Sequence, residues 1–486
     1  MKRGIASVGQ WWPGPAHLPR RRAARLAMAG GLGLLLALLF GLGLAAAHPP
    51  VPKSVAQPAA PNSAAHRAAP KGLATGYEIA QFADDDLAAR AITFTAGSSG
   101  LTALELSGLP VVTKNDPTFG TEVCSIGGVG CPASNCFCGG SDGDTYWNYE
   151  YWNGSAWQMY TSTGPGGSTL ANGAVEGWRW ADYGTLISQP AQPVTSAVQA
   201  LDWLRGQQSA TDGGFGDDYG TAQASLAVGA DDYAADTWRV SAGAPTLEGY
   251  DMANGGQYSG QGAGDAGLLA LGTVGTDVCR PLGAMEPAAY YNSGTGAYAQ
   301  DALDDAWAML GSRAISQTLP AKALIYLAGL QQPNGGWEYS SGLGTESDIT
   351  ALALQALVAA GEPVSNTVVT RGLAYLKTAQ NADGGFTEFQ GGASEADSTA
   401  WIIQALLATG QDPTAAGWSE GSNTPYGYLL GLQLPNGSIQ YQAGSGVAGI
   451  ELSTEQAIPA LLGRPFPLQV MQQAACSGSY LPLIER

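Results

Sequence analysis

Two aligned segments in the C-terminal half put carboxylates where a reaction or a ligand would need them. Glu346-Ser347-Asp348 and Glu395-Ala396-Asp397 each open an Ala/Leu-rich run, and Glu451, Ser453 and Glu455 head a third. Acids at helix starts satisfy free N–H groups and the macrodipole. If the three runs lie parallel, the same acids form a Ser/Thr-edged rim able to receive a polar or cationic part of a ligand. Paired carboxylates also perform acid–base work on glycans. Trp401 in one of these runs and Trp307 in the segment 294–311 occupy matched positions, as cavity walls or as packing.

Other chemistry is excluded by residue type. The three histidines are His17, His48 and His66, all near the N-terminus, so the expected folded domains have no imidazole for a Ser-His-Asp triad, a Cys-His pair or a His-ligated zinc. Gly139-Gly140-Ser141-Asp142-Gly143 fits G-x-S-x-G but has no such partner. GAGDAG (262–267) fits G-x-G-x-x-G, yet no strand precedes it, and it reads as a Gly-rich turn. Cys124, Cys131, Cys136 and Cys138 do not have zinc-knuckle spacing. With Cys279 and Cys476 they make an even set that favours disulfides, the pairing left open.

The elements that must hold the acids repeat. An aromatic-Leu pair, a glutamine, then Asp/Asn-Gly recur around Gln208, Gln331, Gln380 and Gln433, the last three 49 and 53 residues apart. Each glutamine follows an apolar helical run, and Gly accepts the reversal that ends it. The second helices 345–361 and 394–410 align without gaps and share nine of seventeen residues. One such helix pair cannot bury its own apolar face, so neighbours must stack on it. With GTAQASLAVGA (220–230) and the degenerate 294–311 segment, five or six pairs are expected.

The glutamine–Gly-Gly–aromatic phrase before an Ala/Leu helix resembles the repeat of the prenyltransferase and squalene-cyclase-like α/α toroids, over residues 197–466. The resemblance implies an inner ring of helices inside an outer one. It also brings the chemistry of the toroidal class II cyclases, which protonate an alkene with the middle acid of D-x-D-D. Asp301–Asp304–Asp305 is one residue too long for that motif, and Asp231-Asp232…Asp236 misses D-D-x-x-D by one. One residue turns a side chain by about 100°, so both strings read as helix-start acids.

The ends bound location. Six of the 21 basic residues precede the uncharged run Leu26–Ala47, leaving 15 against 40 acids, a net of −25. So negative a surface repels phosphate backbones, and nucleic acid is excluded as a partner. Residues 1–48 read as a cleaved signal peptide or an uncleaved membrane anchor, and 49–72 as a Pro/Ala-rich linker. Residues 188–196 read as a second linker and 467–486 as a tail. The protein is expected to be exported: surface-anchored or secreted.

Residues 73–187 read as an α+β domain. Strands are expected at 90–95, 145–152, 156–160 and 176–180, a Ser-opened helix at 98–109, and a two-residue turn at Asn153-Gly154. The helix, the Trp147/Trp152 hairpin and the 176–178 strand resemble the small domain of transcobalamin-like proteins. Trp147 and Trp152 either stack a planar ligand or serve as core. The expectation is therefore a non-catalytic protein that holds a small amphipathic ligand, by resemblance a corrinoid such as cobalamin, or mediates surface contacts, with no other cofactor and no metal. The alternative is a terpenoid cyclase or a carboxylate-dependent glycan enzyme.

Overall fold

The structure is a computed structural model that describes residues 72–468 except 118–119, 140–143, 279–280 and 282. The leader, most of the tether, most of the tail and Cys279 and Cys476 lie outside the described residues. A β-rich domain comes first: β1 (Leu73–Ala83), β2 (Asp86–Thr95), α1 (Gly100–Leu106), β3 (Val111–Asp116), β4 (Gly120–Ile126), β5 (Val129–Gly130), β6 (Thr145–Trp152), β7 (Trp157–Met159) and β8 (Ala174–Asp182). Five strands form one sheet in the order β2-β1-β8-β6-β7, and β3-β4-β5 form another. Only β1 and β8 pair in parallel in the larger sheet. Ser99 caps α1 by accepting from the Thr102 N–H.

The larger sheet is covered on both faces. Phe82, Trp147, Tyr149 and Trp178 pack with Leu104 and Ile126 on one side. On the other, Ile79, Leu87, Ala89 and Trp157 merge with the helical core. This double burial explains the aromatic density: the rings are core. The four loop-proximal cysteines form Cys124–Cys136 and Cys131–Cys138 disulfides. The hairpin turn departs from expectation. Trp152 pairs with Trp157, leaving four residues between them, because the Asn153 carboxamide oxygen accepts from the Ser155 and Ala156 N–H groups.

Helices follow: α2 (Ala191–Arg205), α3 (Asp218–Gly229), α4 (Leu247–Ser259), α5 (Ala263–Gly275), α6 (Ala302–Ala314), α7 (Ala321–Gly329), α8 (Ser347–Ala359), α9 (Thr367–Thr378), α10 (Ala396–Ala408), α11 (Pro425–Leu432) and α12 (Ile450–Leu461). Helices α3, α5, α6, α8, α10 and α12 each pack on the next, and α12 returns to α3, closing an inner ring. Their near-complete burial is why they are rich in Ala, Leu and Gly. Helices α2, α4, α7, α9 and α11 lie outside, and a 3-10 turn at Pro287–Tyr290 replaces the outer helix of the third unit. The protein is thus an α+β domain followed by an α/α toroid of six units.

The repeated glutamine is the joint. Gln331 and Gln380 each donate to the carbonyl of their own Gly turn, Gly335 at 2.9 Å and Gly384 at 3.1 Å, and to the next unit, Val368 at 2.8 Å and Trp418 at 2.7 Å. Gln433 does the same across the seam, reaching Gly437 O at 3.0 Å and Ser196 O at 2.8 Å, so the last unit is fastened to the first. Gly437 has φ +94°, and a Cβ there would meet Gln199 O at 2.2 Å. Only glycine lets the seam close this tightly.

Three further sequence expectations are corrected. Helix α2 begins at Ala191, within the segment read as a linker, because Pro190 sets an extended N-cap before it. GAGDAG opens helix α5 rather than forming a turn, and at Gly267 a Cβ would lie 2.2 Å from Trp307 O. Asp231 and Asp232 follow the end of α3, not the start of a helix. Asp231 meets Arg90 of β2 at 3.2 Å and accepts from the Ala89 N–H at 2.6 Å. Asp301 is a helix-start acid as read, accepting from the Asp304 N–H.

Candidate active site

A recurrent hydrogen bond sets the register of the inner helices. In four of the inner helices a threonine hydroxyl near the start accepts the N–H of the residue after the Gly turn: Thr221 from Phe215 (2.8 Å), Thr350 from Trp337, Thr399 from Phe386 and Thr454 from Ile439 (each 2.9 Å). In α6 Asp305 takes this role toward Tyr298 at 2.7 Å. Two residues on stand Gln223, Trp307, Leu352, Trp401 and Gln456. The indoles of Trp307 and Trp401 meet edge to face, centroids 5.6 Å apart, although α8 lies between their helices in the ring. They can do so only through the lumen, so this position faces inward.

The acids follow from that register. Asp397 and Trp401 are four residues apart, one turn, so Asp397 shares the lumen face; Asp348 stands likewise before Leu352. Glu395 caps α10, accepting from the Asp397 N–H at 2.8 Å and the Ser398 N–H at 2.9 Å. Ser453 of α12 donates to Asp397 Oδ1 at 2.6 Å. Glu346, Asp348 and Glu395 are buried. Burial pushes the Glu395 carboxyl well above the usual range, and the Asp397 and Asp348 charges push it further. Glu395 thus caps its helix, whereas the side chain of the aligned Glu346 makes no cap bond to α8.

Glu451 and Glu455 are not the counterparts of Glu395 and Asp397. Thr454 aligns with Thr399, so Ile450 and Leu452 take those places. Glu455 instead occupies the site of Ala222, Ala306, Ala351 and Ala400, the residue after the registering side chain. It is 1% exposed, and its Oε1 has no hydrogen-bond partner among the described residues. Burial raises its carboxyl well above the ordinary range, and Glu451, Asp217 and Asp397 add to the rise. Burial and Asp217 also raise Glu451. Asp305, held by the Tyr298 and Ala299 N–H groups, is nevertheless raised by burial to about 7.

Trp147 and Trp152 are not brought to this site. Trp147 sits between Phe82 and Trp180 and donates to Val129 O, while Trp152 packs on Trp157. Sequence reading missed four participants. Glu388 brings a carboxylate oxygen to within 4.8 Å of those of Glu346 and Asp348, and these three could hold a cation. Gln223 and Gln456 line the lumen with buried amide atoms that no described group satisfies. Phe466 stands 5.8 Å from Trp307. The matched Glu-x-Asp spacing was the available signal for the acids; nothing periodic marks Glu388 or Phe466.

Residues 299–447 match the family model of the squalene-hopene cyclase C-terminal domain. The span takes in both Glu-x-Asp segments, and the helical half has a squalene-cyclase-like prenyltransferase fold. No curated protein matches the chain. Similar solved structures include the type II terpene cyclase MstE from Scytonema, at 14% identity and TM-score 0.42, covering 56% of this chain and 98% of that one. Another is the ent-copalyl diphosphate synthase of Streptomyces platensis, at 15% identity and TM-score 0.30, covering 56% and 50%. The family match overturns the non-catalytic carrier expected above, corrinoid ligand included. It favours the terpenoid cyclase, which the sequence offered as the alternative because the nearest D-x-D-D string, at Asp301, is out of phase.

The two disulfides fit an oxidising compartment. Among the described residues no helix is long and apolar enough to cross a membrane.

Proposed function

We propose that this protein is an exported, type II terpene cyclase-like enzyme that protonates an alkene of an isoprenoid chain and guides the resulting cation. The match of 299–447 to a squalene-hopene cyclase domain carries the reading. Glu395-Ala396-Asp397-Ser398 supports it, since it keeps the spacing of the first two acids of D-x-D-D, with Ser398 in place of the last. Burial and the neighbouring Asp397 charge raise the Glu395 carboxyl, which favours one proton shared by the Glu395–Asp397 pair.

In the proposed reaction Asp397 O–H breaks as the proton forms a C–H bond at the less substituted alkene carbon. The tertiary cation left behind is attacked by the next alkene, closing a C–C bond. Trp307 and Trp401, packed edge to face, supply the aromatic surface that would stabilise positive charge without trapping it. The final cation loses a proton to water, yielding an alkene, and a proton from solvent restores the Glu395–Asp397 pair. The aligned pair Glu346/Asp348 has the same spacing and is crowded by Glu388.

The test is incubation of the purified protein with squalene in D2O, with mass spectrometry of the extract. A cyclised product carrying one new deuterium is expected. Positioned general acids contribute about 10²–10⁴-fold, so Asp397→Asn should lower the rate at least ~100-fold. No cyclised product, or an Asp397→Asn variant as fast as the parent, refutes the reading.

A further inference from the structure

The C-terminal end of the inner ring is stoppered by the chain's own strap, Gly463–Leu468. Gln404 of α10 donates to Arg464 O at 2.8 Å, and Gln355 of α8 accepts from the Phe466 N–H at 2.9 Å. These glutamines occupy the same place in aligned repeats. Each uses half of its amide: Gln355 Nε2 and Gln404 Oε1 are buried and have no partner among the described residues. The Phe466 ring reaches down to Trp307, centroids 5.8 Å apart. Outside the strap lies a cleft of about 330 Å³ between the β1–β2 turn and the ends of α8 and α10. Phe466 lines that cleft as well, so one side chain is the wall between it and the lumen.

We propose that this cleft is the entrance for an uncharged isoprenoid chain and that Phe466 is its door. The inference rests on the cyclase reading and adds the route and charge of the substrate. Its volume is at the lower end of small-molecule pockets. Val358, Ala359, Leu407 and Ala408 give apolar walls, Asp84 and Asp85 stand at the edge, and no basic side chain lines it. A diphosphate or carboxylate head would meet like charge with nothing to neutralise it. A neutral polyene would not. When Phe466 swings out with the strap, the freed Gln355 and Gln404 amides and the two indoles line a continuous path to Asp397.

All-trans-retinol is a suitable probe, being neutral, isoprenoid and an energy acceptor for tryptophan. Stopped-flow quenching of tryptophan emission on mixing reports its entry, and retinoic acid is the anionic control. Phe466→Ala should speed entry at least tenfold. Gln355→Leu, which frees the strap without opening a cavity, should speed it about threefold or more, and Phe466→Trp should slow it. Retinoic acid should bind at least tenfold more weakly than retinol, with the gap narrowing in Asp84→Asn/Asp85→Asn. Unchanged entry rates in both Phe466→Ala and Gln355→Leu, absence of retinol quenching, or equal binding of the acid overturns the proposal. Product formation from squalene is scored separately, so a protein that cyclises squalene with an indifferent Phe466 loses the entrance and keeps its chemistry.

Discussion

Arg464 to methionine is the sharpest probe of how the two domains are joined. The guanidinium is wholly buried and rests on Asp86 of β2, itself 1% exposed. Methionine replaces much of the volume and strands the carboxylate. Breaking a buried pair from one side costs about 3–5 kcal/mol, because the survivor bears its full desolvation penalty. At roughly 2 °C per kcal/mol for a large domain, the midpoint at pH 8 should fall by ~6–10 °C. The loss should also depend on pH. Burial already raises the Asp86 carboxyl and Arg464 opposes the rise, so without Arg464 the folded-state pKa climbs further. A raised carboxyl contributes stability that is full below its unfolded pKa and is lost as pH rises through the folded value. The deficit should therefore shrink toward pH 4 and grow toward pH 8. Asp231 and Asp232, which face the same guanidinium alongside Arg90, push in the same direction, as does Asp85. Thermal melts by circular dichroism from pH 4 to 8 measure this. Asp86→Asn combined with Arg464→Met should recover part of the loss at pH 8. A single variant as stable as the parent at pH 8, or a deficit flat with pH, refutes the account.

Two more outcomes follow from the ring. Gln433→Ala removes the seam's two donated bonds and the 2.7 Å bond it accepts from Ser196 Oγ. At about 1 kcal/mol per bond it should cost ~2–4 kcal/mol. Gln208→Ala, losing one short bond to Gly213 and a long one to Trp238, should cost less; denaturant melts showing the reverse order would argue against a closed ring. Asp305→Thr installs the side chain that four other units use. Because the Asp305 carboxyl is raised to about 7, its penalty grows as pH rises from its unfolded value through 7. The variant should therefore be more stable than the parent at pH 8, on the order of 2–4 kcal/mol, and lose that advantage near pH 4. A stability difference independent of pH would contradict this.

The repeat, the helix pairs and the order of the two domains were readable from the chain, because each depends on local periodicity and on glycines that must reverse it. So were the Glu-x-Asp positions and the lumen tryptophans, since gapless alignment of 345–361 with 394–410 places equivalent residues on one face. Glu451 and Glu455 were misaligned because the threonine that sets the register bonds to a turn fifteen residues earlier, a contact with no signature in spacing. Asp231 and Asp232 were misread for the same kind of reason: their partner is Arg90, more than a hundred residues away. Local pattern determines which residues form each unit. Ring closure through Gln433, the strap that carries Phe466 into the lumen, and the burial that raises the Glu395 and Glu455 carboxyls belong to the tertiary structure alone. Desolvation and long-range pairing are properties of what surrounds a residue, and the linear chain does not say what that will be.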